Sequence, residues 1–200
     1  MANSYDQVYQ LIIDDTKRPD KSAEIIRRIQ RAVTKYHRKD FWKKDLVIQI
    51  YAFKDSAQLQ SIDTTLLPRF RALSFMRKFD PSSSTPTSGG ELKEVGPNGL
   101  IDGYGYDKTN VFYRAGGRIQ LNSSTPIHGV VIGYFVDPQI EPAATMNSWI
   151  MFEYPSLIAA EVKEKVFADI GKTDEATRSR LEINEELSNL YTNNLTVAVV

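Results

Sequence analysis

Residues 46–53 read Leu46-Val47-Ile48-Gln49-Ile50-Tyr51-Ala52-Phe53, eight positions held between Asp45 and Lys54 with no charge among them. Branched and aromatic side chains suit a pleated, half-buried surface, and the run is too short for a helix, so it predicts a strand. Upstream the period is helical. Ile25, Ile26, Ile29, Ala32, Val33 and Tyr36 form one stripe and predict a helix over residues 22–36, with Asp20 or Ser22 as its cap. Before it, Tyr5, Val8, Tyr9, Ile12 and Ile13 give a shorter amphipathic helix that ends ahead of Pro19.

Downstream of the octapeptide, residues 66–79 form another extended candidate, with Pro68 at the strand's start or on an edge. Residues 80–90 are rich in Ser, Pro and Gly, carry too little apolar surface to order themselves, and predict a flexible surface loop. Glycine-rich sequence continues it to Asp107. The runs at 111–114 and 118–121 flank Ala115-Gly116-Gly117 and predict a β-hairpin, and residues 129–136 add a further strand, ended by Asp137-Pro138. From Met146 the helical period returns. Pro155 suits a first turn, Gly171 the position just past a helix end, and Thr173 the cap of a last helix whose buried side is Leu181, Leu187, Leu190 and Tyr191. The expected fold is therefore α+β: mainly a helical bundle, with a small antiparallel β-sheet insertion and an extended C-terminal tail. Its parts are N-terminal helices over 1–45, a β-rich insertion over 46–145 with a flexible loop at 80–107, a helical hairpin over 146–192 that completes the bundle, and a tail over 193–200, all folding as one domain.

Composition bounds the chemistry. The 200 residues include 42% hydrophobic and 25% charged side chains, as in an ordinary globular chain. There is no cysteine, which removes disulfides, thiolate nucleophiles and Cys-based metal sites, and leaves His37 and His128 as the soft ligands. Neither histidine has a carboxylate at a metal-ligand spacing, so both are read as structural. The glycines between 96 and 107 lack the Lys-Ser/Thr pair and following helix of a phosphate cradle, and Asp102 and Asp107 alone do not make a calcium loop. No Gly-x-Ser-x-Gly elbow occurs, and neighbouring acids such as Asp14-Asp15 and Glu185-Glu186 point to different helix faces. No catalytic residue, cofactor or metal is expected. No leader and no apolar run of membrane-spanning length is seen, and no membrane partner is expected.

The distribution of charge says more than its total. Lys plus Arg and Asp plus Glu balance at 25 each. Residues 17–44 nevertheless hold eleven bases against Asp20, Glu24 and Asp40, five of them being Arg27, Arg28, Arg31, Lys35 and Arg38 on the second predicted helix. From residue 153 onward nine acids face five bases. These two regions can meet within a subunit, meet between subunits, or both face water. Any contact of the basic helix with nucleic acid would be to phosphates, since no aromatics are interleaved for base stacking.

Several phrases have a familiar arrangement. Phe41-Trp42 follows the basic helix; Leu67-Pro68-Arg69-Phe70-Arg71, Phe112-Tyr-Arg-Ala-Gly-Gly and Gly133-Tyr134-Phe135 occupy the sheet; Glu153-Tyr-Pro-Ser-Leu-Ile-Ala-Ala-Glu-Val, then Ile170-Gly and an acidic helix from Thr173, close the chain. In this order the chain resembles the head-to-tail adaptor proteins of tailed bacteriophages over nearly its full length, least at residues 80–107. The resemblance implies a non-enzymatic virion protein at the neck between head and tail, assembled in the host cytoplasm. It further implies a twelve-fold ring of this chain on the portal protein, a channel for genomic DNA read without sequence preference, and a platform for tail or nozzle proteins. The matching portal-docking residues are Leu195, Thr196, Val197, Ala198, Val199 and Val200, and Arg27, Arg28, Arg31, Lys35 and Arg38 would serve subunit interface or channel. The alternatives are a sequence-independent nucleic-acid-binding protein and a different tail or neck structural protein.

Overall fold

The computed structural model describes residues 4–79, 90–96, 99, 108–140, 146 and 148–194. The fold is α+β, and the chain divides into two compact units. Met1–Asp45 and Asp137–Thr196 belong to the first, and the segment Leu46–Val136 between them forms the second.

The first unit is helical: α1 (Ser4–Thr16), α2 (Ser22–Arg38), α3 (Trp149–Glu153), α4 (Pro155–Asp169) and α5 (Thr173–Asn193). The apolar stripes read from the sequence meet in one core, where Val8 and Ile12 of α1, Ile25, Ile29, Val33 and Tyr36 of α2, and Leu157, Ile158, Val162 and Val166 of α4 are fully or almost fully buried. Pro155 opens α4, where its missing N–H costs nothing. Gly171 closes it with φ of 74°, a left-handed conformation that lets Lys172 N–H reach the Phe167 carbonyl at 2.9 Å. No described helix is long and apolar enough to cross a membrane.

Three expectations for this unit change. Neither Asp20 nor Ser22 caps α2; Lys21 holds that position, and the Ser22 hydroxyl instead shares a 2.7 Å hydrogen bond with that of Tyr9. Thr173 is the first residue of α5 and not its cap, which is Lys172 with no capping side chain. Leu181 and Tyr191 are exposed, at 65% and 41%, while Ile183, Leu190 and the small polar Ser179 are buried. Ile183, Leu187 and Leu190 keep a helical period, and Leu181, two residues before Ile183, turns about 200° away from it.

The second unit is a five-stranded sheet: β1 (Leu46–Asp63), β2 (Phe70–Phe79), β3 (Lys93–Glu94), β4 (Val111–Ala115) and β5 (Arg118–Val136). The long β5 is its centre. β1 runs antiparallel along one side of it, from Leu46 opposite Phe135 to Asp63 opposite Arg118. β2 and β4 pair with separate portions of β5, both antiparallel, and β3 adds to β4 in parallel. Gly116, with φ of 58°, makes the β4–β5 turn at the predicted place.

The two strands expected at 118–121 and 129–136 are one. Ser123 to Pro126 look like a break in sequence, and there the β1–β5 register shifts, between the pairs Leu59–Asn122 and Ala57–Ile127. Pro126 thus sits at an irregularity that needs no ladder donor from it. Pro68 precedes β2, which starts only after Arg69. Within the expected loop at 80–107, Lys93 and Glu94 form β3 and Leu92 is buried, while residues 80–89, 97, 98 and 100–107 lie outside the described residues.

Gly129 faces Ala52 and Phe79 across the sheet, and a Cβ placed on it would lie 2.6 Å from the Tyr51 carbonyl oxygen. Backbone cannot swing aside as a side-chain tip can. Gly129→Ala is expected to lower unfolding stability by about 1–3 kcal/mol, read as a reduced urea midpoint. An unchanged midpoint would mean the β1–β5 ladder is loose enough at Ala52 to widen.

Candidate functional site

The exposed side of α2 and the adjoining side of α4 bound an open groove of about 680 Å³. It exists because α2 buries one stripe, from Ile25 and Ile29 to Val33 and Tyr36, which leaves Arg27, Arg31 and Lys35 at four-residue intervals on the outside. Glu161, Lys165 and Asp169 recur at the same interval on α4 and line the opposite wall.

The five basic residues singled out in sequence do not have equal surroundings. Arg28 is bound by Glu24 of its own helix and by Asp169 of α4. Lys35 donates to Glu161 at 2.7 Å, and the same carboxylate oxygen accepts the Tyr36 hydroxyl at 2.7 Å. Burial first, and then this acidic acceptor, push the Tyr36 phenol far above its ordinary range. Arg38 makes a two-pronged contact with Asp137 at 2.9 and 2.6 Å. Arg27 donates only to the Ala23 carbonyl, and Arg31 has no ion-pair partner among the described residues. Three of these five are therefore neutralised inside the subunit, and Arg27 and Arg31 are the two left without an ion-pair partner among the described residues.

A second cluster is buried. His37 at the end of α2 sets Nδ1 2.9 Å from both carboxylate oxygens of Asp45, and its Nε2 lies 2.9 Å from the Ser148 hydroxyl. Trp149 donates its indole N–H to Asp45 at 2.7 Å, and the Ser148 oxygen accepts the Met151 N–H as the cap of α3. The connectivity is that of a Ser-His-Asp triad. Its accessibility is not: His37, Asp45 and Ser148 are 2%, 3% and 4% exposed, and the serine oxygen is already engaged at a helix terminus. The arrangement ties the end of α2 to residue 45 and to the start of α3. Sequence reasoning placed His37 as structural but missed these partners. Ser148 ahead of an apolar helix start was the one local signal, and a capping residue carries no hint of a partner 111 positions away.

Among the described residues no group of three or more His, Asp or Glu gathers as a metal site. The six tail residues 195–200 lie outside the described residues. The last described residue, Asn194, is buried, and its side-chain amide donates to the Tyr154 hydroxyl at 2.9 Å and the Leu190 carbonyl at 3.0 Å. No family model matches the chain, and no curated protein matches it either.

Proposed function

We propose that this chain is a non-enzymatic head-to-tail adaptor of a tailed-phage virion, which forms a ring of twelve on the portal, extends the DNA channel and offers a platform to tail proteins. The observation that carries the reading is the uneven charge of the helical unit, which keeps uncompensated arginines on α2 and unpaired acids on α5, as an assembling subunit needs. The burial of the Ser148, His37 and Asp45 side chains supports the non-enzymatic part, because a nucleophile must reach its substrate. The order of elements, with helices on both sides of a sheet segment in sequence, supports the adaptor resemblance.

Attachment to the portal is assigned to residues 195–200, whose apolar and β-branched side chains suit either an added strand or insertion of Leu195, Val197 and Val199 into partner grooves. Ending the chain after Asn194 retains that residue's bonds to Tyr154 and Leu190. The truncated chain is expected to keep the circular dichroism and melting temperature of the full chain and to lose attachment to portal-bearing heads. Unimpaired attachment would place docking elsewhere. A large drop in melting temperature would show that the tail belongs to this chain's own core.

Arg27 and Arg31 also support the second reading, a protein that binds nucleic acid through phosphates. That reading requires salt-dependent retardation of any duplex by the isolated chain, whereas the adaptor reading expects weak retardation and no sequence preference.

A further inference from the structure

Lys163 of α4 lies two residues beyond Glu161, so it projects about 200° away from the groove wall formed by Glu161 and Lys165. On that other side Lys163 meets Asp15 of α1 at 2.9 Å and Glu182 of α5 at 3.4 Å. Glu185 and Glu186 continue the same patch along α5, and neither has a cation bonded to it among the described residues. Lys163 thus bonds two of the acids on this side of the helical unit, with Arg178 one turn before Glu182 as the next cation along that face of α5, and Arg27 and Arg31 stand uncompensated on the other side.

The acidic side is also not at rest by itself. Burial, and then the neighbouring charges of Glu182 and Glu185, raise the Glu186 carboxyl above its ordinary range. A raised acid favours the fold below its unfolded value and loses that advantage as pH climbs through its folded one, so the charged form of Glu186 opposes the isolated subunit. A cation brought in from outside would relieve it.

Spacing matches as well as sign. Arg27 and Arg31 are four residues apart on one helix, and Glu182 and Glu186 are four apart on another, each step about 6 Å along its axis. A patch and its complement on opposite sides of one subunit make a heterologous contact, which repeats from copy to copy and closes if the rotation permits.

We propose that the acidic α5 edge of one copy seats in the α2/α4 groove of the next, with Glu182, Glu185 and Glu186 set against Arg27 and Arg31. The inference rests on the ring reading and supplies its contact. Arg28, Lys35 and Arg38 are occupied within the subunit and serve to hold the groove's shape.

Charge reversal in two halves tests it. R27E/R31E presents an acidic groove and keeps its acidic edge; E185R/E186R keeps its basic groove and presents a basic edge. Each alone is expected to self-associate at least about tenfold more weakly than the wild type by sedimentation at low salt. Mixed in equal amounts they are complementary at every contact and should assemble again. Since the chain has no cysteine, Arg31→Cys with Glu185→Cys gives a readout free of background thiols: mild oxidation should yield a ladder of disulfide-linked copies. Reversed variants that associate like wild type, a mixture that stays apart, the absence of a ladder, or a wild type monomeric both in solution and on portal-bearing heads would each overturn the proposal. If R27E/R31E assembles normally but loses retention on DNA, the groove is a phosphate surface, which also overturns it. Charge-dependent assembly without attachment to portal-bearing heads would sink the adaptor reading and leave this contact standing.

Discussion

Asp45→Ala is expected to destabilise the helical unit by about 3–5 kcal/mol in urea denaturation, because it strips a buried carboxylate from two donors at once, the His37 ring and the Trp149 indole. Little room exists for compensation, since the site is closed to solvent. Ser148→Ala removes a helix cap and one hydrogen bond from the same cluster and should cost only about 0.5–2 kcal/mol. The order of the two values decides the matter. If Ser148→Ala costs more, the carboxylate is not the hub of the cluster and water takes its place easily.

Trp42→Ala should be comparably severe, at about 3–5 kcal/mol, as expected for a large aromatic deleted from a packed core. The Trp42 ring is fully buried, lies edge-on to Trp149 at 6.0 Å, and packs beside Tyr191 at 5.0 Å. Its indole N–H donates to the Tyr36 carbonyl at 2.9 Å, at the end of α2, where the Lys39 N–H reaches the same oxygen at 3.4 Å. Trp42→Phe retains most of the volume and loses that bond, so about 1 kcal/mol is expected. The chain holds two tryptophans, Trp42 and Trp149, both in the helical unit. Their emission therefore follows that unit's unfolding, and circular dichroism follows both. A Trp42→Ala chain with a wild-type urea midpoint would show that the core closes over the vacancy.

The sequence exposed the helices wherever a stripe met a single core. Ile25, Ile29, Val33 and Tyr36 could be placed on the buried face of α2 because their 3.6-residue period admits one face only. The strand at 46–53 was equally legible, though not its continuation to Asp63, where Lys54, Asp55 and Ser56 resemble a turn and are instead a register shift in the ladder. Pro126 hid the continuity of β5 for the same local reason. Leu181 misled because hydrophobicity marks burial only when its phase agrees with its neighbours. The basic residues of α2 were visible as a set, but which of them remain uncompensated depends on Asp169, Glu161 and Asp137, 99 to 141 positions away. The link of His37 to Asp45 and Ser148 is long-range in the same sense, and composition and spacing do not encode it.

The helical unit is discontinuous in sequence, and this has a consequence for how the chain is born. On the ribosome, α1 and α2 emerge first, yet α4, against which α2 packs most extensively, is made after the whole sheet. At about 5–20 residues per second the wait until α4 is complete is roughly 7–26 s. Late in it the sheet has all its strands and can close on itself, while α2 is still a helix basic on one side and bare on the other. The vulnerable period of this protein is thus its synthesis. A nascent chain whose emerged part ends near residue 140 should carry a finished sheet together with an unprotected N-terminal pair of helices.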